Sequence, residues 1–249
     1  MSKNRHNKID YKKIVSIVLL LISQLIFSQE NEKHLFILSG QSNMQLLRPN
    51  ESFKPILNEE FGKKNVAVVK YALGSMPIRR WYKDWKPTSG DTPKAEPDLY
   101  DSLMVRVKEV IKKRKINPKN AASVTFIWMQ GERDARKEFG EVYEKSLLGL
   151  YKQLSDDLGI KKMNLVIGRL SDCGLKKKGW PHWQMIRDIQ VNIANSNKRF
   201  GWIDTDDLNT GVNRAGKNIV DNIHMTKEGY VIMGERFAKK AIEIIKLNK

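Results

Sequence analysis

The sequence predicts an α/β fold: a three-layer, doubly wound, mainly parallel five-stranded sheet flanked by helices. Three observations carry that expectation. Short, nearly continuous apolar runs recur along the chain. Segments with helical spacing fall between them. A polar, chemistry-bearing motif follows each run at the same end. Continuous apolar strands are those covered on both faces, and strands alternating with helices imply a parallel sheet.

The strand-length runs are 34–38, 66–72, 123–129, 164–170 and 200–204, each rich in β-branched or aromatic residues. Segments 99–115, 141–158 and 183–197 carry helical spacing, and 227–247 reads as a last helix with Thr226 as its N-cap. The stretch 83–97, with Pro87, Pro93 and Pro97, is the longest irregular one and is expected as a surface loop. In such sheets ligands bind beyond the carboxyl ends of the strands. Ser42 follows the first run, Gly74 the second and Gln130 the third. Asp172 closes the fourth, and Asp204-Thr205-Asp206-Asp207 the fifth. One active edge is therefore expected.

Residues 1–13 hold five basic residues against one acid, and 14–27 form an uncharged, apolar-rich run before polarity returns at Ser28-Gln29-Glu30. That order has the pattern of a secretory leader. The expected division is a leader over 1–28 and a single domain over 29–249, exported to the periplasm or beyond. Fourteen helical residues reach only about 21 Å, short of the roughly 30 Å hydrocarbon core, so no stable membrane span is expected after removal. Cys173 is the sole cysteine. An intrachain disulfide and a cysteine-built metal site are therefore excluded.

The formal charge is +17 for the whole chain, or +13 without residues 1–28. Such a balance favours acidic partners, or simply a well-solvated lysine surface. The basic residues are scattered in sequence, with runs only at Lys112-Lys113-Arg114-Lys115 and Lys176-Lys177-Lys178. No nucleic-acid-binding motif accompanies them, so no nucleic-acid partner is expected.

Ester hydrolysis needs a nucleophile, a base and donors for the oxyanion. Ser42, in a glycine-flanked turn at a strand end, is the candidate nucleophile; the bland reading is a helix cap. Of the four histidines, His6 belongs to the leader and His34 begins a strand at the opposite edge, leaving His182 and His224. Asp221 precedes His224 by three residues, a spacing that lets a carboxylate orient an imidazole. Asp-x-x-His can equally be a loop ion pair. Ser42 N–H, Gly74 N–H and the Gln130 side chain are the candidate oxyanion donors. Gln130-Gly131-Glu132 also reads as an ordinary strand-to-helix loop. Asp204, Asp206 and Asp207 are expected to anchor a loop. No metal and no cofactor is expected.

Gly40-Gln41-Ser42-Asn43-Met44, the Gly74 loop, Gln130-Gly131-Glu132-x-Asp134 and Asp221-x-x-His224 occur in this order. Together they resemble the SGNH-hydrolase superfamily, and within it carbohydrate esterase family 6, the acetylxylan-esterase and sialate-O-acetylesterase-like group. The resemblance runs from Ser39 to Glu235. It implies a flavodoxin-like fold and a metal-free serine esterase that removes acetyl groups from carbohydrates. Ser42 would attack, with His224 as base and Asp221 orienting it. Acetylated carbohydrate is the implied partner, with Gln41, Asn43, Glu132, Arg79 and Trp81 as expected substrate contacts. Gln130 stands where the wider superfamily places asparagine. Arg133 and Met129 depart from the family's usual residues. A lipase, thioesterase or aryl-esterase of the same superfamily, and a catalytically silent glycan-binding protein, are the alternatives. Trp81, Tyr82, Trp85 and Trp180 are candidates for stacking on sugar rings.

Overall fold

The computed structural model describes residues 32–176 and 180–248, and the leader expected over 1–28 lies outside them. Five strands form one parallel sheet: β1 (His34–Gly40), β2 (Val66–Ala72), β3 (Ser123–Met129), β4 (Asn164–Gly168) and β5 (Phe200–Ile203). Their order is β2-β1-β3-β4-β5. The chain moves from β1 to one side and then to the other, so a crevice opens where β1 and β3 diverge, the usual ligand position in such sheets. Ser42 and Gln130 follow these two strands.

The alternation of side chains along β1 explains the two cores. Leu35 and Ile37 pack with Leu103, Leu147 and Ile186 on one face. Phe36 and Leu38 pack with Phe53, Met233 and Phe237 on the other. All of β1 is buried, as the continuous apolar run Leu35–Leu38 at its centre requires. Helices α3 (Asp98–Arg114), α5 (Tyr143–Asp157) and α6 (Trp183–Asn195) supply the first layer. Helices α2 (Phe53–Phe61) and α7 (Lys227–Leu247) supply the second. Thr226 caps α7, its hydroxyl accepting from Gly229 N–H at 2.8 Å.

Four short elements fall outside the predicted helix and strand ranges. They are α2, the one-turn helices α1 (Ser42–Leu46) and α4 (Glu132–Arg136), and a two-residue hairpin of β6 (Gly211–Val212) with β7 (Asn218–Ile219). Helix α2 is nine residues long and carries Pro55 in its first turn, where proline is tolerated; so short a helix leaves little periodicity to read.

Candidate active site

The turn that carries Ser42 begins at a glycine whose place no side chain fits. Gly40 has φ +144°, and a Cβ there would lie 2.0 Å from the Met129 carbonyl oxygen. The next residue locks to the same strand, Gln41 N–H donating to Met129 C=O at 3.0 Å. The chain then turns into α1, Gln45 N–H closing on Gln41 C=O at 2.8 Å. Ser42 is the first residue of that turn, where the backbone N–H has no intrahelical acceptor.

His224 comes from the loop between β7 and α7. Its Nε2 is 3.1 Å from Ser42 Oγ, across 182 residues of sequence. Asn43 Nδ2 donates to Ile223 C=O at 2.9 Å, and His224 N–H donates to Asn222 Oδ1 at 3.0 Å. Burial, and secondarily the positive charge of Arg136, holds the His224 pKa below its ordinary value. The imidazole is therefore neutral at neutral pH and able to accept the serine proton.

A cavity of about 80 Å³ adjoins this pair, walled by Gln41, Ser42, Ser75, Glu132, Arg133, Arg136, Ile223 and His224. Drug-sized pockets run to about 300–1,000 Å³, so this one suits a small acyl group. A larger concavity, about 460 Å³, lies at the other end of the strands and holds none of these residues. The chemistry belongs to the small one because it alone holds the serine–histidine contact.

Gly74 sits beside Ser42: a Cβ there would be 3.5 Å from Ser42 Cβ. Its N–H donates to Gln45 Oε1 at 2.9 Å. Gln41 keeps its place in the wall, its Oε1 accepting from Arg133 N–H at 3.2 Å. Glu132 lines the cavity but is 2% exposed. One carboxylate oxygen accepts from Asn43 Nδ2 at 2.9 Å, the other has no partner, and burial raises the group's pKa.

Five expectations are corrected. Gln130 does not reach the cavity. It is wholly buried, and its side-chain N–H group serves Met76 C=O, Gln41 Oε1 and Asp134 instead. Asn43 is no substrate contact, because its amide is consumed by Glu132 and Ile223 and its Oδ1 by Tyr230 O–H at 3.0 Å. Trp81 is core: fully buried, edge-on to Trp128, its Nε1 donating to Ser39 Oγ at 3.0 Å. Arg79 braces the 83–97 loop through Lys94 C=O and Glu96. Asp221 has φ +43° and its N–H donates to Thr210 Oγ1. Among the described residues no hydrogen bond joins its carboxylate to the imidazole.

Of the other aromatic candidates, Trp85 is buried against Phe139, and Trp180 is half-buried with the Arg136 guanidinium 3.9 Å above its ring. His182 is structural, its Nδ1 accepting from Gly140 N–H at 2.9 Å. The aspartates after β5 do anchor loops. Arg187 binds Asp206 with two parallel bonds at 2.7 and 2.9 Å, and Arg236 pairs with Asp207. Arg136, Ser75 and Gln45 were not anticipated. Helix spacing offered one signal: 132, 133 and 136 share a face once a turn follows Gly131.

The sequence model of one family, described as "Carbohydrate esterase, sialic acid-specific acetylesterase", matches residues 45–243. The chain belongs to that carbohydrate esterase family. The match starts just past Ser42 and includes His224. As a member of this family the protein is a carboxylic ester hydrolase of acetylesterase type. No curated protein matches the chain. Among solved structures, one protein of Arabidopsis thaliana superposes with a TM-score of 0.61 at 18% identity, over 85% of this chain and 98% of the other. A carbohydrate acetylesterase of Xanthomonas citri gives 0.61 at 15% identity, over 85% of this chain and 56% of that one. NanS gives 0.57 at 12%, over 86% and 97%. At these identities the likeness is one of fold.

Proposed function

We propose that this esterase removes acetyl groups from a carboxylate-bearing sugar through a covalent acetyl-enzyme. The 3.1 Å contact between Ser42 Oγ and His224 Nε2 carries the reading. Ser42 Oγ attacks the acetyl carbonyl carbon while His224 Nε2 takes its proton. The oxyanion is received by Ser42 N–H and by Gly74 N–H once Gln45 turns aside. The tetrahedral intermediate collapses, the C–O bond to the sugar breaks, and His224 returns the proton to the sugar oxygen. Water, activated by the same imidazole, attacks the acetyl-enzyme and releases acetate. No step calls for a metal.

The small cavity favours acetyl over longer acyl chains. The acidic sugar is favoured by Arg133 and Arg136, both in the cavity wall. Guanidinium groups there suit a planar carboxylate. The family's description, sialic acid-specific, agrees in chemistry with that choice. Export follows from the leader pattern of 1–28. Acetate release across O-acetylated sialic acid, acetylated pectin and acetylated xylan tests the reading. Turnover of the acidic substrates well above xylan, abolished by Ser42→Ala, is expected. Equal turnover of xylan, or good activity on long acyl esters, overturns it.

A further inference from the structure

The lysines that look scattered in sequence are gathered by the topology. In a parallel sheet every helix-to-strand loop lies at the amino end of the strands, opposite the catalytic rim. Loops 62–65, 115–122, 158–163 and 196–199, with residues 32–33, hold nine basic residues and one acid. The described segments at the catalytic end, 41–52, 73–97, 130–142, 169–176, 180–182 and 204–226, hold thirteen basic and thirteen acidic residues. The chain is therefore electrically one-sided along the strand direction. The 460 Å³ concavity lies within the basic face. Lys119, Lys161, Lys162 and Arg199 line it, and no acid does. Arg199 is held in place by Asn164 Oδ1 at 3.2 Å.

We propose that this face docks on an anionic phospholipid surface, with the concavity receiving a headgroup phosphate. Charge complementarity is the first argument, since juxtamembrane basic clusters are drawn to anionic lipid. The position of the amino-terminal segment is the second. Lys33 C=O accepts from Ala122 N–H at 2.9 Å, and His34 N–H donates to Asn65 C=O at 2.8 Å. The chain thus joins the body between the 62–65 and 115–122 loops. Upstream lies the apolar run 14–27 with five basic residues before it. Whether in transit or retained, such a run meets a bilayer, and the six residues 28–33 reach at most about 20 Å. A lipid surface is thus the polyanion this face meets first. Docking there points the Ser42 rim away from the membrane, toward polymeric substrate.

The test compares binding of the full chain to vesicles of phosphatidylcholine with and without about one-third phosphatidylglycerol. The apolar run contributes equally to both, and the five basic residues before it contribute equally to the parent and to every variant, so the loss on substitution reports the basic face. We expect about tenfold tighter binding to the anionic vesicles at low salt, fading toward parity at about 0.5 M. Lys63, Lys64, Lys161 and Lys162, all exposed, are changed together to Glu. This should remove most of the preference, leaving the share due to residues 1–13, and leave hydrolysis of a soluble acetyl ester unchanged. The milder Lys→Gln set should lose part of it and decides the matter if charge reversal unfolds the protein. An equal charge change at Lys83, Lys86, Lys217 and Lys227, in catalytic-end segments or at the start of α7, should leave most of the preference. Equal loss in both sets reduces the effect to net charge and overturns the proposal. So does an absent lipid preference, or binding to polygalacturonate in place of vesicles that depends on the same four lysines. Esterase activity is read separately, so failure here leaves the catalytic assignment untouched.

Discussion

Asn43 and Ile223 lie 180 residues apart in sequence, yet the Asn43 amide reaches the Ile223 carbonyl at 2.9 Å. This bond joins the Ser42 turn to the His224 loop. The same side chain also binds Glu132 and Tyr230, so three segments of the chain meet on it.

Asn43→Ala should cost kcat more than KM. Loosening the loop by about 1 Å misplaces the base, and such shifts cost about 10²-fold. Stability should fall by about 1–3 kcal/mol, because buried partners lose their bonds. Steady-state kinetics and thermal unfolding check both; an unchanged kcat would refute the positioning role.

Ser42→Ala and His224→Ala should each lower kcat by about 10⁴-fold or more. Asp221→Asn should cost less than about tenfold, because no hydrogen bond joins its carboxylate to the imidazole. A loss with Asp221→Asn as deep as with His224→Ala would restore the carboxylate to the triad.

The pH profile follows from His224. Its pKa is held below 6.5 by burial first and Arg136 second, so the base is active above a midpoint lower than 6.5 and inactive below it. Arg136→Gln removes a like charge, so the midpoint should move upward. Arg136 is exposed, so the move should be small, and smaller still at high salt. A downward move would contradict the assignment.

Gln45 occupies the N–H of Gly74. Gln45→Ala frees that donor and should raise kcat/KM about two- to fivefold, the scale of one modest hydrogen bond. A fall would mean that Gln45 itself contacts substrate.

Asp134 is fully buried, and burial lifts its pKa to about 7. The unfolded chain ionises this group from about pH 4 while the fold resists until about 7, so its contribution to stability falls with rising pH across that window. Asp134→Asn keeps an oxygen for Ile78 N–H and Gln130, and its advantage over the parent should widen from pH 4 to 7 and then level off. Thermal unfolding against pH reads this directly; a parallel pair of curves would refute it.

The sheet was legible because each strand is a continuous apolar run, and a run covered on both faces carries a plain signature. Ser42 was legible from residue type and position at a strand end, and His224 from elimination among the histidines and its place three residues after Asp221, before the last helix. The roles of Asn43, Gln130 and Trp81 were not, because burial decides them: the same amide or indole serves substrate at a rim and the protein in a core. Arg136 was obscured by its one-turn helix, too short to show a face. The basic end of the molecule was illegible for another reason. Its lysines sit in loops far apart in sequence, and only the strand order brings them together.

Gly40 has a consequence for how this enzyme can be altered. A single added carbon would collide with the neighbouring strand's carbonyl, so β1 and β3 would have to separate under the reacting serine. Under the proposed function, exchanging Arg133 or Arg136, both in the cavity wall, should shift sugar preference. The floor beneath them admits no such editing, because what holds it in register is the absence of a side chain.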